Sequence, residues 1–174
     1  MPKQRRKQAD ESRVEMTEII LPEDTNQYGN VWGGRIMALI DKAAAIAAIR
    51  HSRSNVVTAS VDSLVFRAPV RLSHILRLYA SVNAAFGSSM EVGVKVLSED
   101  PLTGDRAHCC SAYVTMVSLD AGGRPAGVPG LQTSTPADRR RQRDAQARRR
   151  SRLTTPRNRE YPAARPRRRR PAAS

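Results

Sequence analysis

The sequence predicts an α+β chain in which an antiparallel sheet of about five strands wraps around one long central helix, with basic tails outside the folded part. Three observations lead there. Residues 34–51 contain neither proline nor a glycine after Gly34, and alanine is their commonest residue, a composition that favours a helix of about five turns, roughly 27 Å long. Five other segments are rich in β-branched residues or alternate apolar with polar ones, the period of a strand with one buried face. The links between the later segments are short, and short links join antiparallel neighbours.

Residues 1–13 are polar and basic and are expected to be disordered. The run 14–21 (VEMTEIIL) reads as a first strand, ended by the turn-forming residues 22–26 (PEDTN). A glycine-rich turn, residues 29–34 (GNVWGG), then leads into the helix. Ile36, Ile40, Ala43, Ala44 and Ala47 form one apolar stripe, and Met37, Leu39, Ile46 and Ile49 occupy much of the remaining circumference. A helix apolar on nearly all sides is expected to be buried on nearly all sides. Arg35, Asp41 and Lys42 interrupt it too often for a membrane span.

Four strand-like runs follow, at 56–66, 75–84, 90–96 and 107–119. Residues 69–73, 86–89 and 99–105 read as hairpin connections between them. One long apolar helix and a curved sheet pack most economically with the sheet around the helix, which is the hotdog arrangement. Its free sheet edges call for at least a two-fold dimer. The folded domain is expected to span residues 14–132. In the Arg-rich tail, 133–174, residues 136–153 suit a basic, solvent-exposed helix, and the proline-rich remainder is expected to be disordered.

Charge is concentrated in the ends. Residues 133–174 carry 15 Arg against Asp138, Asp144 and Glu160, whereas residues 16–132 are balanced, so the basic character says little about the core. The tail would attract polyanions, yet Tyr161 is its only aromatic for base stacking. Cys109 and Cys110 are adjacent, and neighbours on a strand point to opposite faces, so a disulfide between them is not expected; nor is a metal site, since only His108 accompanies them. No apolar segment follows the basic N-terminus, and a reducing cytoplasm fits. His51, His74 and His108 lie in no Ser-His-Asp or Cys-His pattern.

Asp41 is the anomaly of the helix. A carboxylate between Ile40 and the alanines costs several kcal/mol to bury unless it is paired, hydrogen-bonded or at a wet pocket; an exposed pair with Arg35 or Lys42 is the plain alternative. Gly33 and Gly34 leave the first helical N–H groups uncovered, and these stabilise negative charge on an incoming oxygen.

The motifs LPEDTNQYGNVWGGRIMALID at 21–41, AAAIAAIRHS at 43–52, VTASVDSLVF at 57–66, SSMEV at 88–92 and SEDPLTG at 98–104 closely resemble those of the hotdog-fold acyl-CoA thioesterases of the acyl-CoA hydrolase type. The resemblance covers residues 16 to about 131. It implies hydrolysis of acyl-CoA to free acid and CoA without metal or cofactor, a place in fatty-acid metabolism, and assembly as a homodimer or a homohexamer built as a trimer of dimers. It further implies Asn30 and Asp41 as a catalytic pair drawn from two subunits. Thioester hydrolysis needs a base for water and donors for the oxyanion, both within about 3 Å of the reacting atoms. Asp41 is thus expected as base or water-orienting group, Asn30 as positioner, and the Gly33 and Gly34 N–H groups as oxyanion donors. Ser88 and Ser89 fit either contact with CoA or an ordinary turn. Arg67 and Arg71 fit either CoA phosphates or solvent, and Ser60 and Phe66 either the substrate channel or core packing. The alternatives are a hotdog protein acting on or binding acyl carrier protein thioesters, and a polyanion binder working through the tail on nucleic acid or an anionic surface.

Overall fold

The computed structural model describes residues 6–62 and 64–154. In chain order its elements are β1 (Arg6–Gln8), β2 (Val14–Ile19), α1 (Gly33–Ser52), β3 (Asn55–Val61), β4 (Ile75–Phe86), β5 (Ser89–Glu99), β6 (Arg106–Leu119), β7 (Gly130–Gln132) and α2 (Pro136–Thr154). Short 3-10 turns precede β2 and follow it. Five strands form one antiparallel sheet in the order β2-β4-β5-β6-β3, and α1 packs against the inner face formed by β4, β5, β6 and β3. This is the hotdog arrangement.

The alternation read from the sequence decides which face is which. Leu76, Leu78 and Val82 on β4, Val92 and Val96 on β5 and Val114 on β6 are buried in the core with Leu39 and Ile40. Ala43, Ala44, Ala47 and Ala48 on α1 are fully buried; with a single methyl each, they let the sheet close tightly on the helix. Burial of α1 is nonetheless one-sided within the chain. Met37 is 48% and Ile49 44% exposed, so the nearly complete burial expected from composition is not reached by one copy.

The link from β3 to β4 is not a hairpin. β3 ends at Val61, five residues before the end of the run 56–66, and it pairs with β6, whereas β4 pairs with β2 at the opposite edge. The chain from 62 to 74 therefore crosses over, and it is long enough to do so. Residues 6–12, expected to be disordered, are ordered: β1 pairs in parallel with β7. The Ser12 hydroxyl donates to the Ala9 carbonyl at 2.7 Å and accepts the Val82 N–H at 3.0 Å. A few hydrogen bonds to the main sheet thus offset the polar composition of the segment.

Cys109 and Cys110 also depart from strict alternation. Val96 faces Cys110 and Leu97 faces His108, so Cys109 is the extra residue of a β-bulge. Both thiols are buried and free, and hydrogen bonding between them holds the Cys109 thiol's proton affinity below, and that of Cys110 above, the ordinary value.

α2 occupies the position expected of a helix but is not simply solvated. Thr135 and Asp138 exchange reciprocal bonds at its start, Thr135 Oγ1 donating to Asp138 Oδ2 at 2.7 Å and accepting the Asp138 N–H at 3.1 Å, a capping box with Pro136 at the first position. Further along, Arg148 reaches the outer face of the sheet. It donates to the fully buried Glu91 at 2.6 and 3.1 Å and lies 3.5 Å from the centre of the Tyr113 ring. Residues 155–174, for which disorder is expected, lie outside the described residues.

His51, in the last turn of α1, is fully buried. Its Nε2 donates to the Pro129 carbonyl at 2.8 Å, and its Nδ1 meets no partner among the described residues. Burial lowers the imidazole pKa against the pull of that carbonyl, so the folded protein holds the ring neutral. The unfolded chain then binds the proton more readily. Stability is therefore expected to be complete above pH about 6.5 and to fall as pH drops from there towards the lowered folded-state value, by at most about 1.4 kcal/mol per pH unit. Denaturant titrations of wild type and His51→Gln at several pH values check this; equal slopes in the two proteins contradict it.

Candidate active site

The turn before α1 is a closed set of bonds. Asn26 Oδ1 accepts the N–H groups of Tyr28 at 2.9 Å and Asn30 at 3.2 Å, the Asn26 N–H donates to the Asn30 carbonyl at 2.8 Å, and the Gly29 N–H to the Asn26 carbonyl at 2.9 Å. Gly29 has φ +71°, a region that glycine enters at little cost. Two backbone donors on Oδ1 fix the amide orientation of Asn26. Its Nδ2 has no partner among the described residues and remains a free donor.

Asp24 anchors the other side of the turn. Its carbonyl accepts the Trp32 N–H at 3.0 Å, its Oδ2 accepts the Leu21 N–H at 3.2 Å, and its Oδ1 lies 2.7 Å from Arg35 Nε. The Arg35 N–H is not directed at that oxygen, so the contact is ionic. Arg35 is therefore engaged by Asp24 and does not pair with Asp41.

α1 starts at Gly33 behind Trp32, which supplies no side-chain cap. The N–H groups of Gly33 and Gly34 consequently have no intrahelical acceptor and none among the described residues. Gly34 has open space where a Cβ would stand, while a Cβ on Gly33 would lie 3.4 Å from the Phe66 ring. Asn30, Gly33, Ile36, Phe66, Arg67 and Val70 are among the residues lining a cleft of about 290 Å³ at this helix start. Phe66 and Arg67 come from the crossover, whose Arg67 N–H is fixed to the Cys109 carbonyl at 2.8 Å.

Asp41 does not line this cleft. It stands eight residues beyond Gly33, about 12 Å further along the axis, and is exposed. Thr58 of β3 donates to Asp41 Oδ1 at 2.5 Å. A bulge between Thr58 and Ser60 follows at once; such a bulge re-aims the side chains beside it. Ser60 is half-buried on β3 outside the cleft.

Among the residues singled out from the sequence, one chain thus brings Asn30, Gly33, Phe66 and Arg67 together and keeps Asp41 apart. Arg71 pairs in a bridge with Asn30. Ser88 lies in the β4–β5 turn and Ser89 opens β5, and both are held within the chain: the Ser88 carbonyl accepts the Ser118 N–H at 2.9 Å, and Ser89 Oγ lies 3.4 Å from Arg149 Nη1. Among the described residues no group of three His, Cys, Asp or Glu side chains converges as a metal would require. Asn26 and Thr58 were not singled out from the sequence. For Thr58 a signal existed, a polar side chain in an otherwise apolar strand segment; for Asn26 it lay in the Asx turn that Asn26 and Tyr28 make.

Residues 28–104 match the model of the thioesterase superfamily. An acyl-CoA thioester hydrolase of Bacillus subtilis, described as uncharacterised, is 40% identical over 125 residues, 72% of this chain and 73% of that one. A hexameric acyl-CoA thioesterase, solved without ligand, is 37% identical with a TM-score of 0.83, covering 86% of this chain and 96% of its own. The acyl-CoA hydrolase of Staphylococcus aureus, solved with butyryl coenzyme A, coenzyme A and coenzyme A disulfide, is 35% identical with a TM-score of 0.80 over 84% of this chain and 90% of its own. Variants of that hydrolase carry alanine in place of an asparagine, of an aspartate fifteen residues later and of a threonine seventeen residues after that. Asn26, Asp41 and Thr58 stand at the same two spacings here.

Because Asp24 satisfies a backbone N–H and faces Arg35 while only 9% exposed, Asp24→Ala is expected to lower the unfolding free energy by about 2 kcal/mol, and Asp24→Asn, which keeps an acceptor, by about 1 kcal/mol. Urea titration checks both values. Equal stability of all three proteins contradicts the anchoring role.

Proposed function

The chain belongs to the thioesterase superfamily, and on that premise we propose that it hydrolyses acyl-CoA to the free carboxylic acid and CoA at a site completed by a second copy of itself. The observation that carries this is the Asp41–Thr58 pair on the exposed side of α1, with Asn26, at the spacings of the three positions substituted in the Staphylococcus aureus hydrolase.

Asp41 is the base. Thr58 occupies Oδ1 as donor, which leaves Oδ2 to take a proton from water as the water oxygen attacks the thioester carbonyl carbon. Negative charge then develops on the carbonyl oxygen, and the Gly33 and Gly34 N–H groups at the positive end of α1 stabilise it. Collapse of that intermediate breaks the C–S bond, and the proton passes to the departing CoA sulfur. Asn26 offers only its Nδ2 donors, suited to holding an oxygen of the substrate or the water. It takes the part that the resemblance gave to Asn30, and Asn30 remains on the cleft wall with Phe66 and Arg67, where the acyl thioester is bound. Ser60, Ser88 and Ser89 lie outside the cleft of one chain, and a part for them in binding rests on assembly.

Some 12 Å of helix separates the oxyanion donors from Asp41 of the same chain, too far for one reacting carbon. A partner supplies the missing half, Asp41 from one subunit meeting Gly33, Gly34 and Asn26 from the other. Trp32 and Met37 on the uncovered side of α1 and Val57 and Val61 on β3 are each 42% exposed or more, and β3 is a sheet edge; these are the features that a second copy would cover. The hexameric relative supports a hexamer as the assembly, and two-fold sharing of the site would make it a trimer of dimers. The cytoplasmic setting and the part in fatty-acid metabolism expected from the sequence go with this proposal. Polyanion binding through α2 is disfavoured by the engagement of Arg141, Arg148, Arg149 and Arg152 within the chain.

Steady-state hydrolysis of acyl-CoAs from acetyl to palmitoyl, followed by released thiol, tests the assignment. Asp41→Ala is expected to lose about 10²- to 10⁴-fold in kcat and Asn26→Ala about 10²- to 10³-fold, with Asn30→Ala losing less than about tenfold. A severe loss in Asn30→Ala beside an active Asn26→Ala reverses the roles of the two asparagines. Absence of hydrolysis by folded wild type on every chain length overturns the activity.

A further inference from the structure

We propose that Arg152 of the Arg-rich helix is a positioning residue for thioester hydrolysis, holding through Asp62 the crossover that forms the wall of the cleft. The proposal deepens the function given above and rests on it.

α2 is fixed before Arg152 is reached. Arg148 forms two hydrogen bonds to Glu91, whose side chain is fully buried and also accepts from Asn83 Nδ2 at 3.2 Å. The guanidinium of Arg148 stacks on Tyr113, and that of Arg149 lies 4.4 Å from the centre of the Phe86 ring. Planar guanidinium groups suit such stacked, forked contacts in a way that lysine does not. One turn beyond Arg148 on the same face, Arg152 Nη1 lies 2.5 Å from Asp62 Oδ2 and 4.0 Å from Glu91 Oε2. Both partners are shielded, the side chains of Arg152 and Asp62 being 28% and 18% exposed.

Asp62 is the first residue after β3, where the crossover begins. Before it lies the bulged strand β3, which aims Thr58 at Asp41. After it comes the crossover, which carries Phe66 and Arg67 to the cleft and Phe66 against Gly33. The backbone here is tied to β6 at two points, the Asp62 N–H to the Tyr113 carbonyl at 2.9 Å and the Arg67 N–H to the Cys109 carbonyl at 2.8 Å. Tyr113 thus meets Asp62 through its carbonyl and Arg148 through its ring. A side-chain tether at Asp62 from a helix already fixed on the sheet holds the crossover at its start, four residues before Phe66, the first of its residues to line the cleft. Loss of the tether leaves the other anchors of α2 and the two backbone bonds to β6 in place and loosens the crossover at its start, upstream of the wall.

Binding should suffer more than chemistry, because Asp41 and the helix N-terminus are not moved. In Arg152→Gln, KM for acyl-CoA is expected to rise about fivefold to tenfold with kcat within about threefold of wild type, and the melting temperature to fall by less than about 3 °C, as for a partly exposed pair. Arg152→Lys, which keeps the charge, should recover most of KM. Asp62→Asn should match Arg152→Gln, and the double variant should be no worse than either single one, because the two changes break one interaction. Hydrogen exchange at the Arg67 amide, which needs no turnover, should quicken at least fivefold in Arg152→Gln while exchange at the amides of residues 139–148 stays as in wild type. An unchanged KM with an unchanged Arg67 amide overturns the proposal, as does a loss that is additive in the double variant or follows the melting temperature. An inactive wild type counts against the thioesterase activity alone, and the amide exchange still decides the tether.

Discussion

Everything in this chain depends on how α1 is held in the sheet. Half of its buried residues are alanines, so the helix lies close under β4, β5 and β6 with little room to shift. That fit fixes two points in space, the uncapped glycine start of the helix and the Asp41 carboxylate two turns on. Because their separation is set by helical rise, no rotamer of Asp41 brings it to the oxygen held at its own helix N-terminus. On the proposed mechanism, the same rigidity that positions each half of the site requires the two halves to come from different subunits, and the apolar residues left open on α1 and β3 are where a second copy would fit.

Beyond α1, the outer face of the sheet is organised by charge. Glu91 is fully buried, a position that a carboxylate tolerates only with partners, and Arg148 and Asn83 supply them. Gly93 leaves room for Asn83, since a Cβ there would fall 2.6 Å from its Nδ2. The helix with the most arginines is thus bound to the fold by a few of them, and Arg140, Arg143 and Arg150 remain exposed. A run of arginines read as a polyanion-binding tail is in part a clasp.

Period and composition made the frame legible in advance: α1, β4, β5, β6 and α2 all lie close to where their patterns place them. What failed depended on long-range pairing. Residues 6–12 have no pattern of their own and are ordered by Ser12 and β7. The end of β3 and the crossover could not be read because residues 62–66 look as strand-like as those before them; the difference is that β4 pairs with β2 and not with β3. In the site, Asp41 stood out as a charge in an apolar helix, and the glycines as uncovered N–H groups. Asn26 and Asn30 are four residues apart in one turn, and the resemblance gave the catalytic part to Asn30, the asparagine of the glycine-rich turn. Only the Asx bonds that leave Asn26 a free Nδ2, with the spacing shared with a relative, distinguish them. Thr58 was visible as a polar residue in its strand, but its pairing with Asp41, which lies on another element, was not.

The claim that the site is shared between subunits is tested most directly by mixing. Asn26→Ala and Asp41→Ala proteins, each folded and each nearly inactive, are dissociated, combined in equal amounts and reassembled, and acyl-CoA hydrolysis is measured against each protein reassembled alone. A shared site predicts recovery of about a quarter of wild-type activity, since in mixed dimers one of the two sites receives both intact residues. Mixed oligomers that form but stay as inactive as the single variants would contradict it, and would place Asn26 and Asp41 in the same site of one chain.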